Sequence, residues 1–498
     1  MCQRLLISED LSLTSLLYKC IYSIRRKALH PQVLIYWCYL LLFNLLNLNL
    51  LNNQMVQKMD SVISVEWLME QFRISEEKNK PTFESDCCIY RVPTNLRKYN
   101  EEAYTPTFIS IGPYHYGDKR LESTKDFKLW FFNVFVRRNP AKKLRDYIQD
   151  MISSVYKIRQ CYSETIQMSD EEFAVMILMD ACFIIEFFID LTGPPEGRHL
   201  DKNPWPKVYM KLDLLLLENQ IPFFVLDGLF NLAYPNGLVD GTCSFVELAF
   251  NFFNKEFLGY SVSTGWDPTD IHIQNCFLRS KVYHLNDMLR RFYLPDELPG
   301  REFHLPKPIC SASQLREAGI QFKASEKSNR TKVHFSKGVL TLPCFRVRDC
   351  TETMIRNVIA FEQCHFPHSS WITDYVMLWD HLINTEKDID LLVHKGIIEN
   401  FLSDNNAVAS MVNRLCRNVV STSFNREYIV LFERLNKFYN NPCHKHKAIF
   451  RHEYMSSPWR IASVVAAIVL LVLTLIQTIC SVISSPYFTN SSKVPSLS

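Results

Sequence analysis

IASVVAAIVLLVLTLIQTICSVI, residues 461–483, contains no charged residue, no proline and no glycine. At ~1.5 Å rise per residue this stretch makes a helix of ~35 Å, enough to cross a hydrocarbon core of ~30 Å. Trp459 precedes it and Tyr487 follows it, where amphipathic rings settle at the headgroup level. Core helices of soluble proteins are usually shorter and keep a polar stripe. The pattern therefore predicts a single transmembrane helix over 461–483, with a tail over 484–498.

Upstream of that helix the composition is that of a packed body. The chain has 498 residues, 47% of them hydrophobic, with 34 Phe and 22 Tyr, which excludes a disordered adaptor. A net charge of +3 gives no general attraction to nucleic acid. Only 13 glycines disfavour glycine-rich phosphate-binding folds. The 16 cysteines are scattered, without any C-x-x-C, and read as reduced, buried thiols, with a few bridges open to a body that faces outward.

Residues 1–58 read as a peripheral extension, and Met59 opens a more ordinary soluble start. A second apolar stretch, 33–51, is interrupted by Asn44, Asn47 and Asn49, each costly in lipid. Its flank of Arg25, Arg26 and Lys27 favours a cytosolic N-terminus and an outward body. Lys445, Lys447, Arg451 and Arg460 before the C-terminal helix, against Lys493 after it, favour a cytosolic body. The second reading is preferred, with tail-anchored insertion into the plasma membrane or an endomembrane.

Between 59 and 455 helical spacing predominates. Apolar residues recur at helical intervals over 61–73, 125–138, 144–164, 171–191, 245–257 and 273–292. Residues 211–230 are apolar almost all round and read as a deeply buried element. The four prolines of 294–308 mark the best subdivision point. Short strands are expected at 321–322, 333–335 and 339–343, and nearly continuous helix over 351–438. The fold class is mainly α: a large helical body with a minor β element, followed by one transmembrane helix.

The order of several blocks is distinctive. CIYRVPTNLRKYNEEAYTPTFISIGPYHYG at 88–117 leads to MILMDACFIIEFF at 176–188 and DLLLLENQIPFFVL at 213–226. ASQLREAGIQF at 312–322, GVLTLPCF at 338–345, IRNVIAFEQCH at 355–365 and YVMLWDHLINTEKDIDLLVHKGII at 375–398 follow in turn. SPWRIASVVAAIVLLVLTLIQ at 457–477 comes last. Together these closely resemble the plant DUF247 (UPF0481) family, from about Glu66 to Tyr487. The resemblance implies mainly helical proteins ending in one transmembrane helix, with no defined biochemical activity and no catalytic residues to carry over. Some grass members are implicated in pollen–stigma self-incompatibility, a role of particular members that shared motifs do not transfer.

The residues offer a few candidates for chemistry. Gly112-Pro113-Tyr114-His115-Tyr116-Gly117 reads as a turn presenting Tyr114, His115 and Tyr116 as a binding surface, or as a rigid turn whose rings pack inward. Asp180 and Glu186 lie nearly opposite on one helix, whereas Glu186 and Asp190 share a face. Asp180, Glu186, Asp213 and Glu218 could converge as a buried carboxylate cluster of raised pKa or hold a cation. Alternatively Glu218, Asn219 and Gln220 satisfy backbone groups where a helix breaks before Pro222.

Cys182, and Cys364 beside His365, lack any nucleophile signature and read as core packing. Cys443, His444, His446 and His452 have a loose metal-like composition. Their basic neighbours Lys445, Lys447, Arg451 and Arg460 point instead to anionic headgroups, at ~1 kcal/mol per residue. No metal and no cofactor is expected. The expected partners are the lipid bilayer and unidentified proteins, with no nucleic acid. The function expected is that of a membrane-anchored recognition or signalling component. The alternative is an enzyme using the acidic residues of 171–191 and 211–230.

Overall fold

In a computed structural model, residues 87–483 are described apart from 141, 194–199, 201–203, 239–240, 243, 259–266, 296, 326–330, 403 and 443–457. The chain divides into two compact units, Met1–Glu84 and Ser85–Ser498, and every element below belongs to the second. The stretch 33–51, the helix expected over 61–73, and Lys445, Lys447 and Arg451 lie outside the described residues.

The largest hydrophobic cluster is built around one helix. α1 (Lys125–Arg138) and α2 (Leu144–Gln160) pack against α3 (Asp170–Thr192). α3 starts where Ser169 Oγ accepts from the Glu172 amide, and Asp170, Glu171 and Glu172 place negative charge on its first turn. Beyond that turn it is apolar nearly all round, because neighbours surround it. α4 (Pro204–Asp213), α5 (Phe223–Ala233) and α6 (Phe245–Phe253) follow α3 in the chain, and α5 and α6 pack on it. The many phenylalanines find their use here. Phe188 stacks on Phe252 with centroids 4.0 Å apart, and Phe131 meets Phe183 edge-on at 5.3 Å. α7 (Leu285–Phe292) closes the cluster through Phe292, which contacts Phe250 and Phe277.

Two elements depart from the sequence reading. The stretch 211–230 is not one element: α4 ends at Asp213, α5 begins at Phe223, and 214–222 is non-helical yet almost wholly buried. Pro222 cannot donate the amide that a continuing helix needs. The helix expected over 273–292 is also divided. A short helical piece at Ile271–Ile273 widens into a π turn at Gln274–Leu278, and α7 restarts at Leu285 with His284 Nδ1 accepting from the Asp287 amide.

Residues 294–308 carry the chain from this cluster to a second one, whose buried members run from Ile309 to Leu435. On the way β1 (Arg301–Glu302) is laid down. Then come α8 (Ala312–Glu317), β2 (Gln321–Ala324), β3 (His334–Ser336), β4 (Val339–Leu342) and β5 (Phe345–Val347). α9 (Thr351–His365), α10 (Trp371–Leu382) and α11 (Glu386–His394) lead to β6 (Ile398–Asn400). α12 (Asn405–Leu415), β7 (Phe424–Asn425) and α13 (Arg426–Tyr439) complete it.

The strands form small sheets. β4 lies between β2, which is parallel to it, and β3, which is antiparallel. β5 pairs with β6 in parallel, and β1 with β7 antiparallel. The β3–β4 hairpin turns through Lys337 (φ 49°) and Gly338 (φ 79°), the paired left-handed residues of a tight two-residue loop. The fold is mainly α with a minor β element.

α14 (Pro458–Ile483) is the one helix long and apolar enough to cross a membrane among the described residues. Ala462–Val482 spans 21 residues at mean hydropathy 2.5, with none of its apolar window buried. Its hydroxyls bond back to the helix itself: Thr474 to the Leu470 carbonyl at 2.6 Å and Thr478 to the Thr474 carbonyl at 2.7 Å.

One glycine controls how closely the N-terminal blocks approach the core. Gly112 has φ 69°, and a Cβ there would sit 2.4 Å from the Gln220 carbonyl oxygen. Gly117, at φ 82°, has open space instead. Gly112→Ala should therefore lower unfolding stability by about 2–3 kcal/mol, and Gly117→Ala by only about 1 kcal/mol from backbone strain. Urea titration followed by tryptophan fluorescence measures both; equal losses would show that Gln220 does not crowd Gly112.

Candidate functional site

The buried turn 214–222 raises a question of satisfaction, because non-helical backbone has left water without a ladder to join. Side chains close the account. Gln220 Nε2 donates to the carbonyls of Leu214 (2.7 Å) and Leu216 (2.8 Å), and Asn286 Nδ2 donates to that of Leu215 (2.7 Å). The Leu217 amide donates to Asn357 Oδ1 at 2.9 Å. Asn219 Nδ2 bonds the carbonyls of Ile109 and Asp213, both at 2.9 Å, while its Oδ1 accepts from the Ile111 amide at 2.6 Å.

Asp213 extends the same arrangement outward. Its carboxylate accepts from the amides of Thr107 (3.0 Å), Phe108 (2.7 Å) and Ile109 (2.8 Å). Burial pushes this carboxyl up to about 6, against the Thr107, Ile109 and Phe108 donors that favour the ion. Asp180, on α3, accepts from the Gly112 amide at 2.7 Å and pairs with Lys128 of α1. Burial raises its carboxyl, and Lys128 opposes that shift.

Glu218 gathers the only cluster of charge at this turn that reaches toward solvent. Its Oε1 accepts from the Val92 amide at 2.7 Å and pairs with Arg97 Nη2 at 2.5 Å. Its Oε2 pairs with Arg91 Nη1 at 3.1 Å and lies 3.4 Å from His115 Nε2. Burial alone would raise this carboxyl; the nearby His115 ring, the Arg97 guanidinium and the Val92 amide outweigh it and hold the group down at about 2.

These positions distinguish between the two readings of the turn. Of the turn at 112–117, Tyr114 is buried, with its hydroxyl 3.3 Å from the Ile89 carbonyl and 3.1 Å from Ser163 Oγ, and its ring beneath the Arg91 guanidinium. His115 turns inward to Glu218, so of the three rings only that of Tyr116 is exposed, at 52%. The rings fold back because Glu218 and the Ile89 carbonyl offer polar partners inside.

Asp180, Glu186, Asp213 and Glu218 do not share ligands. Glu186 bonds the Tyr234 hydroxyl at 2.8 Å and Arg138 at 3.1 Å, away from the partners of the other three. Asp190 accepts from the Leu200 amide. Among the described residues no group of three or more His, Cys, Asp or Glu side chains could hold a metal ion. A groove of about 590 Å³ runs between 304–308 and α13, and none of the four carboxylates lines it. Cys443, His444, His446 and His452 lie outside the described residues.

Several partners escaped the sequence reading: Arg91, Arg97, Lys128, Asn286 and Asn357. A second buried network was also missed. There Glu362 accepts from Arg290 Nε (2.9 Å) and from the amides of Ile372 and Thr373, and Asp374 accepts from Arg301 (2.8 Å) and the Asn425 amide. The available signal was a polar residue at the edge of a short apolar run, as Asn357 and Glu362 flank VIAF in RNVIAFEQ.

Comparison with known proteins supplies a family and no activity. The family model DUF247, described as a plant protein of unknown function, matches residues 89–473. The UPF0481 protein At3g47200 of Arabidopsis thaliana is 29% identical over 431 residues, covering 80% of this chain and 87% of that protein. The putative UPF0481 protein At3g02645 of the same plant is 22% identical over 481 residues, covering 80% and 90%. No solved structure matches.

Glu218→Gln takes from Arg97 its carboxylate partner and leaves Arg91 with Glu164. The expected loss is about 2–3 kcal/mol at pH 7, below the ~3–5 of a fully buried pair because Arg91 and Arg97 keep contact with water. A carboxyl with a depressed folded pKa stabilises above its ordinary value and loses that contribution as pH falls toward the folded one. The gap between wild type and variant should therefore hold above pH ~4.5 and close toward pH ~2. Urea unfolding across that range checks this; a gap independent of pH would contradict the ion-pair assignment.

Proposed function

The chain belongs to the DUF247 family of plant proteins, and from that premise we propose that it is a membrane-anchored binding protein acting in recognition or signalling. The observation that carries the anchor is α14, whose apolar window of Ala462–Val482 has no buried share. Left in water, such a surface would aggregate, and a bilayer is the solvent that suits it. The basic residues 445, 447, 451 and 460 ahead of that apolar window support a cytosolic body. They would also meet anionic headgroups.

Support for binding rather than catalysis comes from how the polar groups are used. Asp180, Glu186, Asp213 and Glu218 are each engaged by amides, hydroxyls or cations of the body itself. What the turn at 112–117 offers outward is Tyr116, on a loop held from inside by Tyr114 and His115. A ring fixed in this way presents contact area at small entropic cost.

Two measurements test the reading. Full-length protein should stay with vesicles after alkaline carbonate washing, and a variant lacking 461–483 should move to the supernatant. Proximity labelling by the full-length protein in plant cells should recover a defined set of proteins, depleted by Tyr116→Ala or by replacing segments 193–206 or 231–243. Release of the intact protein by carbonate would remove the anchor; turnover of a substrate by purified protein would favour the enzyme alternative.

A further inference from the structure

The chain enters the body beside the end of α2. Ile89 and Tyr162 form a parallel bridge, in which the Cys161 carbonyl accepts from both Cys88 (3.0 Å) and Ile89 (2.8 Å) and the Ser163 amide donates back to Ile89 (2.9 Å). One residue back from each bridge partner stand Cys88 and Cys161. Cys161 keeps the helical backbone of the end of α2, and the 3.0 Å contact between the Cys88 amide and the Cys161 carbonyl brings the two backbones together at the cysteines themselves; a disulfide needs Cα atoms about 4.4–6.8 Å apart. Both thiols are buried and neither is in a disulfide; the Cys161 thiol donates to the Lys157 carbonyl at 3.5 Å. Packing as small apolar side chains explains their burial but not their pairing across two segments 73 residues apart.

We propose that Cys88 and Cys161 are a dithiol modification site whose co-substrate is a small-molecule disulfide of the glutathione type, and that oxidation joins them as a bridge. One cysteine thiolate attacks a sulfur of the disulfide, forming a mixed disulfide and releasing one glutathione thiolate. The second cysteine thiolate displaces the other glutathione. Both protein thiols lose their protons, which pass to the two glutathione thiols; the protein sulfurs are oxidised and one glutathione disulfide is reduced. Burial raises the Cys88 thiol well above its ordinary value, so attack on the packed pair is slow and is completed as the body opens or folds.

The bridge acts on the polar site. Arg91, three residues after Cys88, donates its amide to Ser163 Oγ and pairs with Glu164 and Glu218, while Tyr114 bonds Ile89 and Ser163. Closing 88 to 161 fixes the two segments from which that network is strung. In a glutathione-disulfide-rich medium the site is bridged; in a reducing one it remains a packed dithiol. Its state is independent of the anchor assigned to 461–483.

The test uses full-length protein in lipid nanodiscs, equilibrated with glutathione disulfide with and without sub-denaturing urea. Free thiols are then alkylated, the protein is digested without reduction, and linked peptides are mapped by mass spectrometry. The expected product is a Cys88–Cys161 linkage, retained in Cys87→Ser and lost in Cys88→Ser and in Cys161→Ser. A melting temperature higher by ~5 °C should accompany it. Full alkylation of both residues in both arms, mixed disulfides that never resolve, or a linkage transferred to Cys87 would overturn the assignment.

Discussion

The fold depends on a demand that hydrogen bonding makes of nine buried residues. Between α4 and α5 the chain abandons helix at 214–222 without leaving the core, so peptide groups that a helix would pair must be satisfied by local turns, by the segment's own side chains and by other parts of the molecule. Leaving one such group unpaired costs about 1–3 kcal/mol. Asn219, Gln220, Asn286 and Asn357 meet that demand directly. Asp213, Asn219 and Glu218 return it, binding the amides of 107–109, 111 and 92. A turn and a distant N-terminal segment thus complete each other.

Other features follow from that exchange. Because residues 88–112 are sewn to the turn, Gly112 is drawn close to the Gln220 carbonyl, and Arg91 and Arg97 converge on Glu218. Asn357 joins the turn to α9, and Glu362 on the same helix gathers Arg290 of α7 and the first amides of α10. Buried ionic groups of this kind contribute little net stability against an apolar core, but removing one partner is costly. Their contribution is to arrangement. They specify which segment lies where in an interior whose phenylalanine packing alone would tolerate rearrangement.

Much of the architecture was legible because it rests on local periodicity. Lys125–Arg138 was read with the bounds it has, and the apolar purity of 461–483 picked out the one helix whose apolar window has no buried share. The failures have a common cause. A run such as 211–230 is apolar whether it is a buried helix or a buried coil, and periodicity does not tell the two apart when satisfying side chains such as Asn286 and Asn357 lie 71 and 140 residues away. Glu218, Asn219 and Gln220 were legible as groups serving a chain break; the amides of 92 and 111 that two of them serve were not. The choice between an exposed tip and an inward-packed turn at Tyr114 and His115 stayed open for the same reason, since their inward partners, Ile89 and Glu218, are remote in sequence. The arginines of RVPTNLR gave no sign of their shared carboxylate.

Hydrogen exchange of the full-length protein, read by mass spectrometry over residues 105–112, addresses this mutual support most directly. The account predicts slow exchange in wild type and fast exchange in an Asp213→Asn, Asn219→Ala variant, with 386–415 unchanged in both. Equal protection of 105–112 in the two proteins would mean that the turn does not hold the N-terminal segment, and would contradict the account.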